Sequence, residues 1–189
     1  MKINIITLGC SKNLVDSEHL AGILKTNGHE VLFDSTKKKF EVAIINTCGF
    51  IGDAKEESID VILEYIEEKK KGNIGKIIVF GCLVERYKET LEEEFKEVDA
   101  FFGVNNYLDI ATYLNAKIEN DYFLQRQPST PKHFAYLKIS EGCDRFCSFC
   151  AIPYIRGRHI SIPIEELVAE AQCLAKRGVK EIIIIAQDT

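Results

Sequence analysis

Short apolar runs rich in isoleucine and valine alternate with longer amphipathic stretches over the first hundred residues of the chain. This alternation is typical of βαβ units, in which successive parallel strands are joined by helices. The predicted strands cover residues 3–8, 30–33, 42–46, 76–80 and 100–102. The pattern therefore predicts an α/β fold that begins with a five-stranded parallel sheet.

The stretches between these strands have helical periodicity. Ile59, Ile62 and Ile66 recur at the spacing of one helix face, with Glu and Lys on the opposite face. Val84 and Leu91 do the same in the next stretch. Helices of this kind cover both faces of a doubly wound sheet. We expect the flavodoxin-like strand order 2-1-3-4-5, which places the first, third and fourth strands side by side at the centre.

The periodicity lapses after this sheet, and Gln, Ser, Thr and Pro crowd together between residues 125 and 131. Such a composition is typical of a linker. We predict a first domain over residues 1–115, a linker over residues 116–133 and a second domain over residues 134–189.

The second domain has the pattern of one further βαβ unit. A strand is predicted at residues 134–139, a helix begins after Pro163 and closes at Gly178, and a second strand covers residues 181–186. One such unit is about a quarter of an eight-fold, TIM-like barrel. We therefore expect this domain to be the incomplete start of a barrel, and the sequence to be the front of a longer protein.

Composition is that of a globular protein, with 46% apolar and 28% charged residues. The net charge of -5 provides no overall field that would attract nucleic acid, although a local basic patch stays open. The longest aliphatic run, residues 182–186, is far shorter than the ~18 residues of a membrane span. The first residues lack the features of a secretory signal. We therefore expect a cytoplasmic protein with no membrane partner.

Seven cysteines in a chain without an export signal favour reduced thiols over disulfides. Cys143, Cys147 and Cys150 lie within eight residues on the loop after a predicted strand, and we call them the sequential trio. Thiolates at this spacing suit three corners of a cubane [4Fe-4S] cluster and leave the fourth iron free to bind substrate. The alternative is a zinc knuckle, which would need a fourth ligand such as His159.

Cys10, Cys48 and Cys82 each follow directly on a predicted strand, and we call them the convergent trio. Strands one, three and four are neighbours in the expected order, so the three thiols should meet at the carboxyl edge of the sheet. Helix N-termini at that edge favour thiolate charge. A second metal site is predicted there, against the alternative that small apolar cysteines simply pack well at strand ends. The adjacent glycines are expected to leave room for the backbone to approach an inorganic core: Gly9, Gly49 and Gly81.

The surroundings of the six cysteines resemble the radical S-adenosylmethionine (SAM) methylthiotransferases over essentially the whole chain. Residues 9–18, 45–51 and 81–83 look like the branch that modifies an aspartate of a small-subunit ribosomal protein. Residues 141–143 and 152–158 are similar to both that branch and the tRNA-modifying branch. The resemblance therefore implies the superfamily from the second domain and the branch from the first.

The resemblance implies two [4Fe-4S] clusters and SAM as cofactors. The sequential trio would hold the cluster whose open iron chelates SAM, and one electron from a donor would then generate a 5′-deoxyadenosyl radical. That radical takes hydrogen from an unactivated carbon, chemistry that side-chain bases cannot perform. The convergent trio would hold an auxiliary cluster carrying the sulfur to be transferred, and a second SAM would supply the methyl group. The implied partners are the ribosomal protein and the electron donor.

Two other readings stay open. The same chemistry on tRNA would need phosphate-neutralising Lys and Arg, and RNA is a partner only under this reading. A non-catalytic iron-sulfur or zinc fragment would act as a carrier or binding module.

Other polar residues are candidates for supporting roles. Arg156 and Arg158 could bind a carboxylate of SAM or substrate, or could be exposed loop charges. Asn13, Asp16 and Asn46 could line the auxiliary site or cap turns and helices. Surface or packing roles are expected for the remaining conspicuous side chains: His19, His29, His133 and Cys173.

Overall fold

The computed structural model describes residues 1–36 and 39–188, so Thr189, the last residue of the predicted second domain, lies outside the described residues. The strands are β1 (Lys2–Thr7), β2 (Glu30–Phe33), β3 (Phe40–Thr47), β4 (Ile74–Gly81), β5 (Ala100–Phe102), β6 (Phe134–Lys138), β7 (Ser140–Glu141), β8 (Ile160–Ser161) and β9 (Glu181–Ile185). The helices are α1 (Ser11–Thr26), α2 (Gly52–Lys70), α3 (Cys82–Glu94), α4 (Tyr107–Tyr113), α5 (Ile152–Arg156), α6 (Ile164–Lys176) and a short 3₁₀ helix, η1 (Tyr122–Gln125).

The first five strands form one parallel sheet in the order β2-β1-β3-β4-β5, which confirms the predicted fold and strand order. Strands β3 and β4 are longer than predicted, because Phe40 already pairs with Ile74 at their amino ends. The charged and glycine positions after these two residues interrupt the apolar pattern on which the prediction depended.

Alternate residues of the central strands build two separate cores. Ile5, Ile44 and Ile78 face α1 and α4, while Ile45 and Val79 face α2 and α3. Each of these side chains is fully buried. Burying one such side chain stabilises the fold by about 1.5–3 kcal/mol, so the two apolar layers fix which helix covers which face.

The second segment contains the predicted βαβ unit, because β6 and β9 pair in parallel and α6 lies between them in the chain. Its helix leaves part of its apolar surface uncovered. Leu174 is buried, but Ile164 and Val168 are exposed. A sheet of two strands covers only a narrow part of the helix surface, so the rest of the apolar surface of α6 faces outward.

The predicted linker packs closely on α1. The carbonyl oxygen of Gln125 approaches Gly22 so closely that a Cβ atom there would lie 2.3 Å from it. The backbone N–H of Gln127 donates to the carbonyl of Glu18 at 3.0 Å. The first and second segments are therefore joined by a packed connection at these residues.

None of the helices within residues 1–36 and 39–188 has the length and apolar character needed to cross a bilayer.

Candidate metal centres

The convergent trio lies at the carboxyl edge of the sheet, as predicted from the sequence. Cys10 is the N-cap of α1, and Cys82 is the first residue of α3. Cys48 directly follows β3, and α2 begins four residues later at Gly52. Positive helix N-termini therefore surround all three thiols.

The three thiols are close in space. The Sγ atoms of Cys10 and Cys82 lie 3.9 and 4.0 Å from the same atom, Oδ1 of Asn13. The distance between these two sulfurs cannot exceed the sum of those contacts. Cys48 joins them from the side of Gly9, where a Cβ atom would lie 2.9 Å from the Cys48 sulfur. Three residues separated by more than thirty positions along the chain are thus gathered at one place on the edge of the sheet.

Glycines make this convergence possible. Gly9 has φ +87°, and a Cβ atom on it would lie 2.6 Å from the Cβ of Cys48. A Cβ atom on Gly49 would lie 2.7 Å from the carbonyl oxygen of Cys82. A Cβ atom on either glycine would therefore collide with a neighbouring cysteine loop, so glycine lets these loops approach each other. Their approach to an inorganic core stays a prediction.

The donor set suits a thiolate-ligated cluster. Cys10 is exposed, whereas Cys48 and Cys82 are buried. Burial raises the pKa of the Cys82 thiol, and the charges of Cys10 and Cys48 raise it further, while Arg156 acts in the opposite direction. Across the described ranges, no three His, Cys, Asp or Glu side chains converge as the ligands of one metal ion. A cubane binds each cysteine at a separate iron, so its ligands stand further apart than those of a single ion.

Hydrogen bonds fix the loop that carries Cys48. The backbone N–H of Cys48 donates to Oγ of Ser58 at 3.1 Å, and that oxygen also lies 3.1 Å from the Cys48 carbonyl. Ser58 is fully buried on α2. The hydroxyl proton also has a closer acceptor, the Ala54 carbonyl at 2.8 Å, so the firm contribution of Ser58 is to accept from the buried N–H of Cys48.

The side-chain oxygen of Asn13 lies near Cys10 and Cys82, and its side-chain nitrogen bonds the strand ends beside them. Its Nδ2 donates to the carbonyls of Leu8 at 2.9 Å and Thr47 at 3.1 Å, which ties the ends of β1 and β3 together. Asn46 in turn donates to the Asn13 carbonyl at 2.8 Å. Asn13 thus lies beside two of the thiols, whereas Asn46 bonds to the backbone of Asn13, and a role of either residue at the auxiliary site stays a prediction.

The sequential trio lies on a loop between β7 and α5 whose backbone is pinned at both ends. The N–H of Cys143 donates to the carbonyl of Gly157 at 3.1 Å, and that of Cys150 donates to Cys147 at 3.0 Å. Cys147 is exposed and the other two thiols are half-buried. Gly142 has φ +72°, and a Cβ atom there would lie 2.1 Å from the carbonyl oxygen of Arg158. This close approach requires glycine.

Arg156 has an environment that the sequence did not indicate. It is the last residue of α5, and its side chain is 2% exposed. The guanidinium donates to both carboxylate oxygens of Glu141, at 3.0 and 3.1 Å, and to Oδ1 of Asn13. Asp16 lies 3.7 Å away. The suggestion of an exposed loop charge is therefore wrong for Arg156.

Arg158, by contrast, is exposed. Its side chain pairs with Asp144 at 3.4 Å, and its guanidinium stacks 4.7 Å from the ring centre of Phe146. Both contacts stay within the loop of the sequential trio. For Arg158, the binding of SAM or substrate remains a prediction from the sequence.

Arg156 belongs to a buried group of charges between the first and second segments. Lys138, at the end of β6, donates to Asp16 of α1 and, at 2.8 Å, to Glu141. Burial lowers the pKa of Lys138, but the two carboxylates outweigh it and the pKa is raised. Burial likewise opposes the ionisation of Glu141, yet Lys138 and Arg156 hold its pKa below the usual value. Opposite charges thus keep each other ionised in an apolar surrounding.

A second buried group lies beside the first. Arg126 donates from Nε and Nη2 to Glu18, at 2.8 and 2.6 Å, and from Nη1 to Glu170 at 2.6 Å. His19 lies 3.7 Å from Glu170 and stacks on Tyr107. Nδ1 of His19 is buried and has no hydrogen-bond partner within the described part of the chain. Sequence reasoning did not identify this group, although a Glu-His pair in the middle of a helix is a signal for it.

The two halves of the chain match two different protein families. Residues 2–103 match the uncharacterized protein family UPF0004. The chain belongs to the UPF0004 family. Residues 137–189 match the radical SAM superfamily, so the sequential trio lies inside the superfamily match and the convergent trio inside the UPF0004 match. The family assignment agrees with the resemblance that the cysteine motifs carried.

Curated relatives carry one name. The proteins called ribosomal protein uS12 methylthiotransferase RimO from Flavobacterium johnsoniae and Bacteroides fragilis are each 55% identical to this chain, over 99% and 98% of its length. The RimO of Porphyromonas gingivalis is 50% identical over 99%. In each case the chain spans 43% of the relative's own length.

A solved structure supports the fold. The radical SAM methyltransferase TsrM from Kitasatospora setae, solved with cobalamin and a [4Fe-4S] cluster, superposes with a TM-score of 0.62. The match covers 100% of this UPF0004 chain and 47% of TsrM, with 13% sequence identity. At this identity the likeness concerns the arrangement of strands and helices alone.

Proposed function

We propose that this UPF0004 chain supplies the two iron-sulfur sites of a radical SAM methylthiotransferase that modifies an aspartate of a small-subunit ribosomal protein. The observation that supports it is the pairing of two cysteine trios in one packed unit. One trio is local in sequence and lies in the radical SAM match, and the other is gathered from three strand ends. Each trio leaves one iron of a cubane without a cysteine ligand.

A cluster on the sequential trio, with SAM bound, supplies the radical that breaks an unactivated C–H bond. The residues of the chain position the parts. Gly142 lets the cluster loop approach residues 157–158, while the backbone bond from Cys143 to Gly157 closes the loop. Asn13 ties together the ends of β1 and β3, beside which Cys10 and Cys48 lie.

The ribosomal-protein substrate is proposed from the motifs of the convergent trio and from the name that the relatives carry. The predicted requirement for an electron donor and the cytoplasmic location belong to the same proposal. On this reading the net charge of -5 is no obstacle, because the substrate is a protein. A tRNA substrate would instead require salt-sensitive RNA binding.

Iron content tests the two-site proposal directly. Anaerobic reconstitution with ferrous iron and sulfide should give about eight irons per chain, as two cubanes require. Replacing Cys10, Cys48 and Cys82 together with Ala should remove about half of the iron and leave the EPR signal of the sequential cluster. The triple Ala variant of Cys143, Cys147 and Cys150 should leave the other half. Loss of all iron, or of none, in either variant would contradict two independent sites, and bound zinc would favour the non-catalytic alternative.

Activity needs a separate test. Much of a SAM pocket in a TIM-like barrel comes from strands beyond the first two, so we expect this chain alone to bind SAM weakly and to turn over poorly. Tight stoichiometric SAM binding in a titration of the chain would overturn that expectation. In the polypeptide extended to the length of its relatives, the assay should compare ribosomal protein uS12 with tRNA. Methylthiolation of the RNA but not the protein would replace the proposed substrate.

A further inference from the structure

Arg156 stands between the two cysteine trios. It closes the helix that follows the sequential trio, yet its guanidinium contacts Asn13, which is 143 residues away in the chain. The Asn13 oxygen that accepts this hydrogen bond is the same Oδ1 that lies 3.9 Å from Cys10 Sγ and 4.0 Å from Cys82 Sγ. One side chain from the second segment therefore reaches the centre of a site built by the first.

The negative charge expected at the convergent trio also calls for a nearby cation. Cys82 is buried, and three thiolates together with a cluster would place negative charge in an apolar surrounding, which is costly without a cation. Arg156 is a cation whose side chain is 2% exposed, and the Asn13 oxygen to which it donates lies 3.9 and 4.0 Å from Sγ of Cys10 and Cys82. Solvent therefore screens its charge weakly at the convergent trio. Glu141 and Asp16 fix the guanidinium from the other side.

The hydrogen-bond pattern explains why the residue is arginine. Nη1 donates to Glu141 while Nη2 donates to Asn13, so the planar fork serves both partners at once. A lysine ammonium would keep the charge but lack this fixed geometry.

Resting on the proposed function, we propose that Arg156 is a positioning residue for the auxiliary cluster. It places a buried positive charge one hydrogen bond away from the Asn13 oxygen beside Cys10 and Cys82, so that the convergent trio binds its cluster only while the segment carrying the sequential trio is docked against it. Assembly of the auxiliary cluster thereby depends on the docking of that segment and not on iron in the sequential trio. The outcome is a dependence of auxiliary-cluster assembly on a residue outside the UPF0004 match, which ends at residue 103.

The test uses the full chain in which Cys143, Cys147 and Cys150 are replaced by Ala, so that only the convergent trio can bind iron. After anaerobic reconstitution with ferrous iron and sulfide, this parent should hold about four irons. Adding Arg156→Gln should reduce the iron at least fivefold. Adding Arg156→Lys should leave the circular dichroism unchanged but lower the iron by about half and change the EPR signal. Lys88→Gln, which removes a positive charge from an exposed site on α3, serves as the matched control and should change nothing.

Full iron content and an unchanged EPR signal in both Arg156 variants would overturn the inference while leaving the auxiliary cluster intact. If Arg156→Gln fails to fold by circular dichroism, the Lys variant decides alone, and an unchanged signal in it overturns the inference. A parent without iron removes the auxiliary cluster itself, and with it both the inference and that half of the proposed function. A midpoint potential that becomes more negative in Arg156→Lys or Arg156→Gln, but not in Lys88→Gln, supports the charge contact.

Discussion

Arg126 and Glu18 form a double hydrogen-bonded ion pair across 108 residues of sequence, with the side chain of Glu18 fully buried and that of Arg126 2% exposed. Arg126 comes from the connection between the two segments and Glu18 from the middle of α1. The third guanidinium nitrogen, Nη1, donates to Glu170 of α6, so one cation joins three parts of the fold. Ser129 completes the site, since its N–H and hydroxyl both donate to Glu18.

We expect Arg126→Gln to lower the free energy of unfolding by about 3–5 kcal/mol, because Glu18 and Glu170 would be left buried without their cation. Thermal melts of the apo chain measure this. The exposed Lys117→Gln variant, which breaks a surface pair with Glu119, should melt like the parent. Combining Arg126→Gln with Glu18→Gln should cost less than the sum of the single changes, since the double variant removes the unpaired charge. An additive cycle would contradict the pairing.

Substitutions at two glycines distinguish the effect of backbone strain from the effect of close packing. Gly9→Ala and Gly28→Ala both place a Cβ atom at positive φ, +87° and +80°, which costs about 1–2 kcal/mol. At Gly28 nothing lies within 4 Å, whereas at Gly9 the new atom collides with Cys48. We expect both variants to lower the melting temperature and only Gly9→Ala to lose iron from the convergent trio. Equal iron content in the two variants would show that the approach of Cys48 to Gly9 is not needed for the cluster.

The hydroxyl of Ser58 accepts a hydrogen bond from the backbone N–H of Cys48. Replacing Ser58 with Ala leaves the N–H of Cys48 without its 3.1 Å acceptor in a buried place, which should cost about 1–3 kcal/mol. We expect a lower melting temperature together with reduced iron on the convergent trio. Ser58→Thr keeps the hydroxyl and is the comparison variant. Iron binding by the Ala variant equal to that of the parent would limit Ser58 to a role in α2 alone.

His19 should make the fold sensitive to mild acid. Burial holds its pKa well below the usual value, and the charges of Arg126 and Lys138 lower it further. The unfolded chain therefore binds a proton that the folded chain does not, so stability is lost as the pH falls below the unfolded pKa of about 6.5, by at most about 1.4 kcal/mol per pH unit.

Melting temperatures of the apo chain between pH 7.5 and pH 5.5 measure this dependence. His19→Gln should flatten the decline over that range. His29→Gln is the control, because His29 is far less buried and its pKa is lowered less severely. Glu170, whose pKa is raised by burial, gains a proton in the folded state and opposes the decline at the acid end. An unchanged slope in His19→Gln would contradict the assignment.

Local periodicity was enough to predict the sheet, its strand order and the meeting of Cys10, Cys48 and Cys82, because parallel strands bring their carboxyl ends to one edge whatever the side chains between them. The sequential trio is visible in the sequence for an even simpler reason, since its three thiols are neighbours in the chain.

The sequence also determined the two places at which chemistry would be expected, but only the tertiary structure decided what connects them. Arg156 looked like a loop charge, and the composition around Arg126 looked like a free linker. Each is buried against carboxylates more than a dozen residues away, Glu141 for the first and Glu18 for the second. Such pairs depend on how the segments dock, and charges carry no periodicity that would reveal a distant partner before the chain has folded.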